Sequence, residues 1–77
     1  MPQICVKLNT VEQVREFVKI VDRFDVNFDL GLGKKVVDAK SLIGVFSLDL
    51  TKPQILQFDS EDEKIFEMLA PFQVKEK

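Results

Sequence analysis

The stretch Gly33-Lys34-Lys35-Val36-Val37-Asp38-Ala39-Lys40-Ser41-Leu42-Ile43-Gly44-Val45-Phe46-Ser47-Leu48 reads as a strand followed by a short helix. Its β-branched start, Lys35 to Ala39, follows Gly31-Leu32-Gly33, whose glycines supply the positive φ of a hairpin turn. Ser41 then stands as an N-cap before the apolar segment Leu42 to Leu48, which predicts one or two helical turns weakened by Gly44. Before this stretch, Val26, Phe28 and Leu30 alternate with Asn27 and Asp29 and predict the partner strand of the hairpin.

Working outward toward the start of the chain, Ile4, Val6 and Leu8 alternate with Cys5 and Lys7, predicting a half-buried strand from Gln3 to Leu8. Val11, Val14, Phe17, Val18, Val21 and Phe24 then recur at spacings of three and four, the stripe of an amphipathic helix running to about Arg23. Thr10 and Gln13 form a capping-box pattern at its start. Toward the other end, Thr51-Lys52-Pro53 interrupts the chain before a fourth strand, Gln54 to Phe58, in which proline is confined to the beginning. Ser60 and Glu63 give a second capping-box pattern, and Ile65, Phe66, Met68, Leu69 and Phe72 form the apolar face of a last helix. Lys75-Glu76-Lys77 is expected to fray. The order βαββαβα, with one apolar face per strand and one stripe per helix, predicts an α+β domain in which three helices cover one face of a four-stranded antiparallel sheet.

With 77 residues, 45% apolar and 31% charged, the chain is expected to form a single domain, residues 1–77, rather than a disordered or multidomain protein. Histidine is absent and cysteine occurs once, which excludes histidine general bases, phosphohistidine chemistry, Cys/His zinc sites and Cys–His dyads. The lone Cys5 lies within Ile4-Cys5-Val6 and reads as a packed, reduced thiol of a cytoplasmic protein. Neither a leader-like segment nor a run of about 20 apolar residues is seen, so no export and no membrane insertion are expected. A net charge of −2 is a poor footprint for nucleic acid.

The Gly33–Leu48 segment resembles the middle of HPr, the histidine-containing phosphocarrier of the bacterial sugar phosphotransferase system, which reads roughly Gly-Lys-x-Val-Asn-x-Lys-Ser-Ile-Met-Gly-Val-Met-Ser-Leu. One extra residue precedes the valine–acid pair, and Lys40-Ser41-Leu42-Ile43-Gly44-Val45-Phe46-Ser47-Leu48 carries the specific part of the match. The element order is also that family's, so the resemblance covers essentially the whole chain and implies an HPr-like open-faced β-sandwich. The family carries Gly-x-His-Ala-Arg-Pro where its first helix begins, and that histidine relays a phosphoryl group between enzymes. Here the chain reads Asn9-Thr10-Val11-Glu12-Gln13-Val14-Arg15. Matching the helix stripe and its cap puts Thr10 at the histidine position, with a shortened preceding loop and Glu12 where the arginine would be. Matching the local string instead puts Gln13 there with Arg15 as the arginine, as in an HPr-like catabolite-repression paralogue with glutamine at that place. The first register satisfies both core periodicity and capping, and is preferred; capping by itself also accounts for Thr10 and Gln13.

Ser41 matches the family's regulatory serine, the target of a dedicated kinase whose product binds a transcriptional repressor; equally, Ser41 serves as a simple N-cap. Leu42, Ile43 and Phe46 correspond to the family's apolar partner-contact patch, unless two of them complete the core. Glu61-Asp62-Glu63 is explained by the dipole of the helix it precedes, and no metal or other cofactor is expected. Lys34, Lys35 and Lys40 form a modest basic cluster. The resemblance therefore implies a non-enzymatic regulatory or docking paralogue in the sugar phosphotransferase network or catabolite repression. Its partners would be proteins: phosphotransferase components, HPr kinase or a repressor. The alternatives are an interaction domain that keeps the fold without a role in sugar transport, and an unusual phosphoryl carrier using Thr10 or an acidic side chain.

Overall fold

The computed structural model describes residues 2–74; the expected fraying of Lys75-Glu76-Lys77 lies outside them. The elements are β1 (Gln3–Val6), α1 (Val11–Val21), β2 (Phe28–Leu32), β3 (Lys35–Asp38), α2 (Leu42–Phe46), β4 (Gln54–Phe58) and α3 (Glu63–Leu69), followed by a 3₁₀ turn at Ala70–Phe72. The strands form one antiparallel sheet in the order β1-β4-β2-β3. Ile4, Val6, Phe28, Leu30, Leu56 and Phe58 point from the sheet into a core closed by Val14, Phe17 and Val21 of α1, Val45 of α2, and Ile65 and Leu69 of α3. The other face carries Gln3, Asp29, Val36, Ile55 and Gln57 and is left open. This is the predicted arrangement of three helices on one side of four strands.

Alternation places each strand's apolar residues on one face, and registers such as Leu30 opposite Leu56 and Phe28 opposite Phe58 keep those faces aligned. Aromatic rings bind the layers: Phe28 and Phe58 lie 5.2 Å apart, Phe58 and Phe66 5.5 Å, and Phe17 meets Phe72 edge-on at 5.8 Å.

Several boundaries differ from expectation, each for a local reason. β1 ends at Val6, because its partner there is Gln54, the first residue of β4, and Pro53 before it interrupts the pairing; Lys7 N–H, on the other side of the strand, donates to the Phe72 carbonyl (2.8 Å). α1 ends at Val21, not Arg23, since Arg23 and Phe24 turn onto the Ile20 and Val21 carbonyls in tighter three-residue bonds. β2 begins at Phe28 and runs through Gly31 and Leu32, which pair with Val36 and Lys35. The turn is therefore Gly33-Lys34 alone. Gly33 has φ 65° and Lys34 a negative φ, the signature of a two-residue type II′ hairpin. Gly31 answers a different need, because a Cβ there would lie 2.1 Å from the Lys35 carbonyl oxygen. Finally, α3 is capped by Asp62, whose Oδ1 accepts from Lys64 N–H (3.0 Å), while Ser60 Oγ accepts from Asp62 N–H (3.1 Å). The Ser60–Glu63 box does not form because a carboxylate two residues later is the better partner for the positive helix end.

Among the described residues Gln54 is the buried polar side chain: its amide donates to the Asp49 (2.8 Å) and Lys52 (3.2 Å) carbonyls and fastens the turn before β4.

Candidate functional site

Thr10 stands at the start of α1 with extended backbone, and its Oγ1 accepts from Gln13 N–H (3.0 Å). Gln13 Oε1 reaches back to accept from Asn9 N–H (2.7 Å), one residue before the cap itself. The predicted box thus closes around Asn9 and consumes two otherwise orphaned donors. Arg15 lies further along α1, exposed. Beside the cap a depression of about 450 Å³ opens, lined among others by Lys7, Asn9, Thr10, Val11, Phe46 and Leu50. Lys7 Nζ donates to Asn9 Oδ1 (2.7 Å) and to the Leu50 carbonyl (3.3 Å), so its charge braces the loop. At the rim, Thr51 donates to Asp49 through its hydroxyl and its N–H, and these bonds hold the Asp49 carboxyl below its ordinary range, hydroxyl first, aided by Lys52 and Lys7.

α2 forms the neighbouring wall. Ser41 caps it, its Oγ accepting from Gly44 N–H (3.1 Å), and at the other end Ser47 Oγ donates to the Gly44 carbonyl (2.6 Å). A Cβ at Gly44 would crowd the capping Ser41 side chain, 3.2 Å from its Oγ and 3.3 Å from its Cβ. Val45 alone of the helix is fully buried, with Leu48 just beyond it. Leu42, Ile43 and Phe46 instead face outward, at 37%, 84% and 42% exposure.

Val11 joins them. The sequence stripe placed it in the core, but it is 62% exposed and lines the same depression as Phe46. As the first residue of α1 it lies where the helix overhangs the depression, and no element covers it. The sequence signal that could have found it is its position immediately after the cap, where a stripe begins before there is anything to pack on. Lys40 corrects the basic cluster: its Nζ donates to the Phe24 carbonyl (2.7 Å) and lies 6.0 Å from the Phe28 ring centre, so it ties the chain after α1 to the core and leaves Lys34 and Lys35 at the hairpin.

The site is thus a capped helix end beside an exposed serine and an apolar rim. Among the described residues no group of three or more Cys, Asp or Glu side chains is placed to hold a metal ion. Superposed on solved structures, the chain matches HPr-C-His from Thermoanaerobacter tengcongensis with a TM-score of 0.76 and 20% identity, over 92% of this chain and 89% of that one. The fold is HPr-like. A phosphocarrier protein HPr from Bacillus anthracis str. Ames gives a TM-score of 0.70 at 23% identity, over 95% and 96% of the two chains. No family model and no curated protein sequence matches the chain. The HPr-like fold brings Thr10, Val11, Phe46 and, one helical turn from Phe46, Leu42 and Ile43 to one end of the molecule. Among the described residues no helix is long and apolar enough to cross a membrane.

Proposed function

We propose that the chain is an HPr-family protein that docks onto protein partners of the sugar phosphotransferase network in the cytoplasm and transfers no phosphoryl group itself. The observation that carries this reading is the exposed apolar rim of Val11, Ile43 and Phe46 around a helix end that lacks histidine. The Lys40–Leu48 string and the HPr-like fold support the assignment of partners. Side chains of this kind contribute to binding when a partner surface removes them from water, and a few centrally placed ones dominate the affinity. Thr10 as the N-cap of α1 favours the register in which it replaces the histidine over the one using Gln13 and Arg15, which lie inside the helix.

Titration of ¹⁵N-labelled protein with the first enzyme of the phosphotransferase system, with HPr kinase and with the associated repressor should shift the Val11, Ile43 and Phe46 resonances with at least one of them. Ile43→Glu is expected to weaken that complex about tenfold or more, equivalent to about 1.4 kcal/mol, without unfolding the chain, because Ile43 lies largely in solvent. Unchanged affinity would remove the rim from the reading.

Ser41 is the regulatory element of the proposal. A phosphate there adds about −2 charge at the edge of the rim and can accept from the free amides that begin α2. Incubation with HPr kinase and ATP should add one phosphate to the wild type and none to Ser41→Ala, read by mass spectrometry. No mass gain on the wild type sinks the regulatory branch while leaving constitutive docking intact.

The low identity to both HPr structures favours a second reading, an interaction domain that has kept the fold outside sugar transport. A gene far from phosphotransferase components would support it, and one beside them the first.

A further inference from the structure

The two outer edges of the sheet are treated differently. The free side of β1 is covered by the chain after α3: Lys7 N–H donates to the Phe72 carbonyl (2.8 Å), Val74 N–H donates to the Cys5 carbonyl (2.9 Å), and Val6 bridges Gln73. Among the described residues, β3 pairs with β2 only and leaves its other side open. The two-residue turn makes Leu32 and Lys35 a hydrogen-bonded pair, and antiparallel alternation then turns Lys35 and Val37 toward β2. The N–H and C=O of Val36 and the N–H of Asp38 point away from the sheet, while the Asp38 carbonyl is taken by Ser41 N–H (3.0 Å).

Charge is divided along this edge. Asp38 stands opposite Asp29, two exposed carboxylates facing each other across the hairpin, and Lys34 and Lys35 stand at its tip. Like charges directly opposite are unfavourable, and nothing in the hairpin itself brings its lysines to its carboxylates. A two-fold arrangement does. With Val36 on the axis, the residue two before it on one chain meets the residue two after it on the other, so Lys34 of each copy lies beside Asp38 of its partner copy. Two-residue spacing puts Val36 and Asp38 on one face of the sheet, with Lys34 in the turn at the end of that edge.

We infer that the edge of β3 pairs antiparallel with the same edge of a second copy, joining two four-stranded sheets. Val36 exchanges N–H and C=O bonds with its own counterpart, and its side chain, 54% exposed in the single chain, packs against that counterpart on the open face. Charged residues and a short strand ordinarily protect an edge against such pairing; here their order along the edge makes them complementary to themselves. An edge of this length buries less than the ~1,200 Å² of a stable interface, so the dimer forms only at high protein concentration and weakens with salt.

The test is a dilution series of the full chain from about 2 mM to about 0.02 mM, read by sedimentation and by ¹⁵N NMR, a range suited to an interface below standard size. Val36 and Asp38 amides should shift with concentration. Lys34→Glu, in an exposed turn, should weaken association about tenfold by setting like charges opposite at both ends. Mixing Lys34→Glu with Asp38→Lys should restore it, because both end contacts are then of opposite sign. Asp38 Oδ1 also accepts from Lys40 N–H (2.9 Å), so if Asp38→Lys fails to fold, Lys34→Glu alone decides. A monomer at the highest concentration, wild-type association of Lys34→Glu, or shifts confined to Val11, Ile43 and Phe46 would overturn the inference.

Discussion

Phe58→Ala is expected to leave the chain largely unfolded at room temperature. Phe58 is fully buried on β4, which lies inside the sheet between β1 and β2, and its ring touches Phe28 of β2 and Phe66 of α3. Truncation removes the ring from the contact between sheet and helix and opens a cavity that neither strand can close without breaking its ladder, at a cost of about 3–5 kcal/mol. A core in a chain below about 80 residues supplies a net stability of about the same size, ~3–5 kcal/mol. The two numbers cancel. Far-UV circular dichroism in water should therefore show loss of secondary structure for Phe58→Ala, whereas Phe58→Leu, which keeps most of the volume, should still unfold cooperatively in urea at a lower midpoint. A Phe58→Ala protein with a midpoint near that of the wild type would show that α3 and the sheet are not held through this ring.

The second large effect is an absence of chemistry. Offered phosphoenolpyruvate and the first enzyme of the phosphotransferase system, the chain is expected to acquire no acid-labile phosphate under conditions in which an HPr phosphocarrier is fully labelled. The chain contains no histidine, and at the helix start stands a threonine whose Oγ1 is engaged with Gln13 N–H. A threonine hydroxyl is a weak nucleophile unless a base or a metal activates it. An ester formed there would also lack the transfer potential of a phosphoramidate and could not pass the group on. Autoradiography after acid and after alkaline quench separates the outcomes. Acid-labile label would point to a carboxylate or another nitrogen and revive the unusual carrier, and acid-stable label lost in Thr10→Ala would make Thr10 a terminal acceptor.

Legibility in the sequence followed the range of the interactions. β4 spans Gln54–Phe58 as its alternation predicts, and Thr10 and Ser41 cap α1 and α2 as their side chains predict. Each depends on residues within one turn or one strand, where spacing and capping act directly. The misplaced features depend on partners far along the chain. Gly31 and Leu32 read as a turn because glycine permits one, yet they extend β2 because Val36 and Lys35 lie opposite, and Gly31 is required there by the nearness of the Lys35 carbonyl. β1 stops early because its partner strand β4 begins at Gln54, opposite Val6, after Pro53 far along the chain. Asp62 displaced Ser60 through a choice between two good caps that spacing leaves equal.

The candidate site divides in the same way. Thr10, Ser41 and the apolar character of Leu42, Ile43 and Phe46 are properties of the string itself. That all three of these apolar side chains face outward, and that Val11 leaves its stripe to join them, was settled by tertiary packing. Val45 and Leu48 suffice to anchor α2, and the depression between α1 and α2 leaves Val11 uncovered. By itself the sequence determined which elements form, in what order, and that histidine chemistry is absent, since these follow from local spacing and composition. Only the tertiary structure decided which apolar residues meet water and which strand edge stays open, because exposure belongs to how distant segments cover one another.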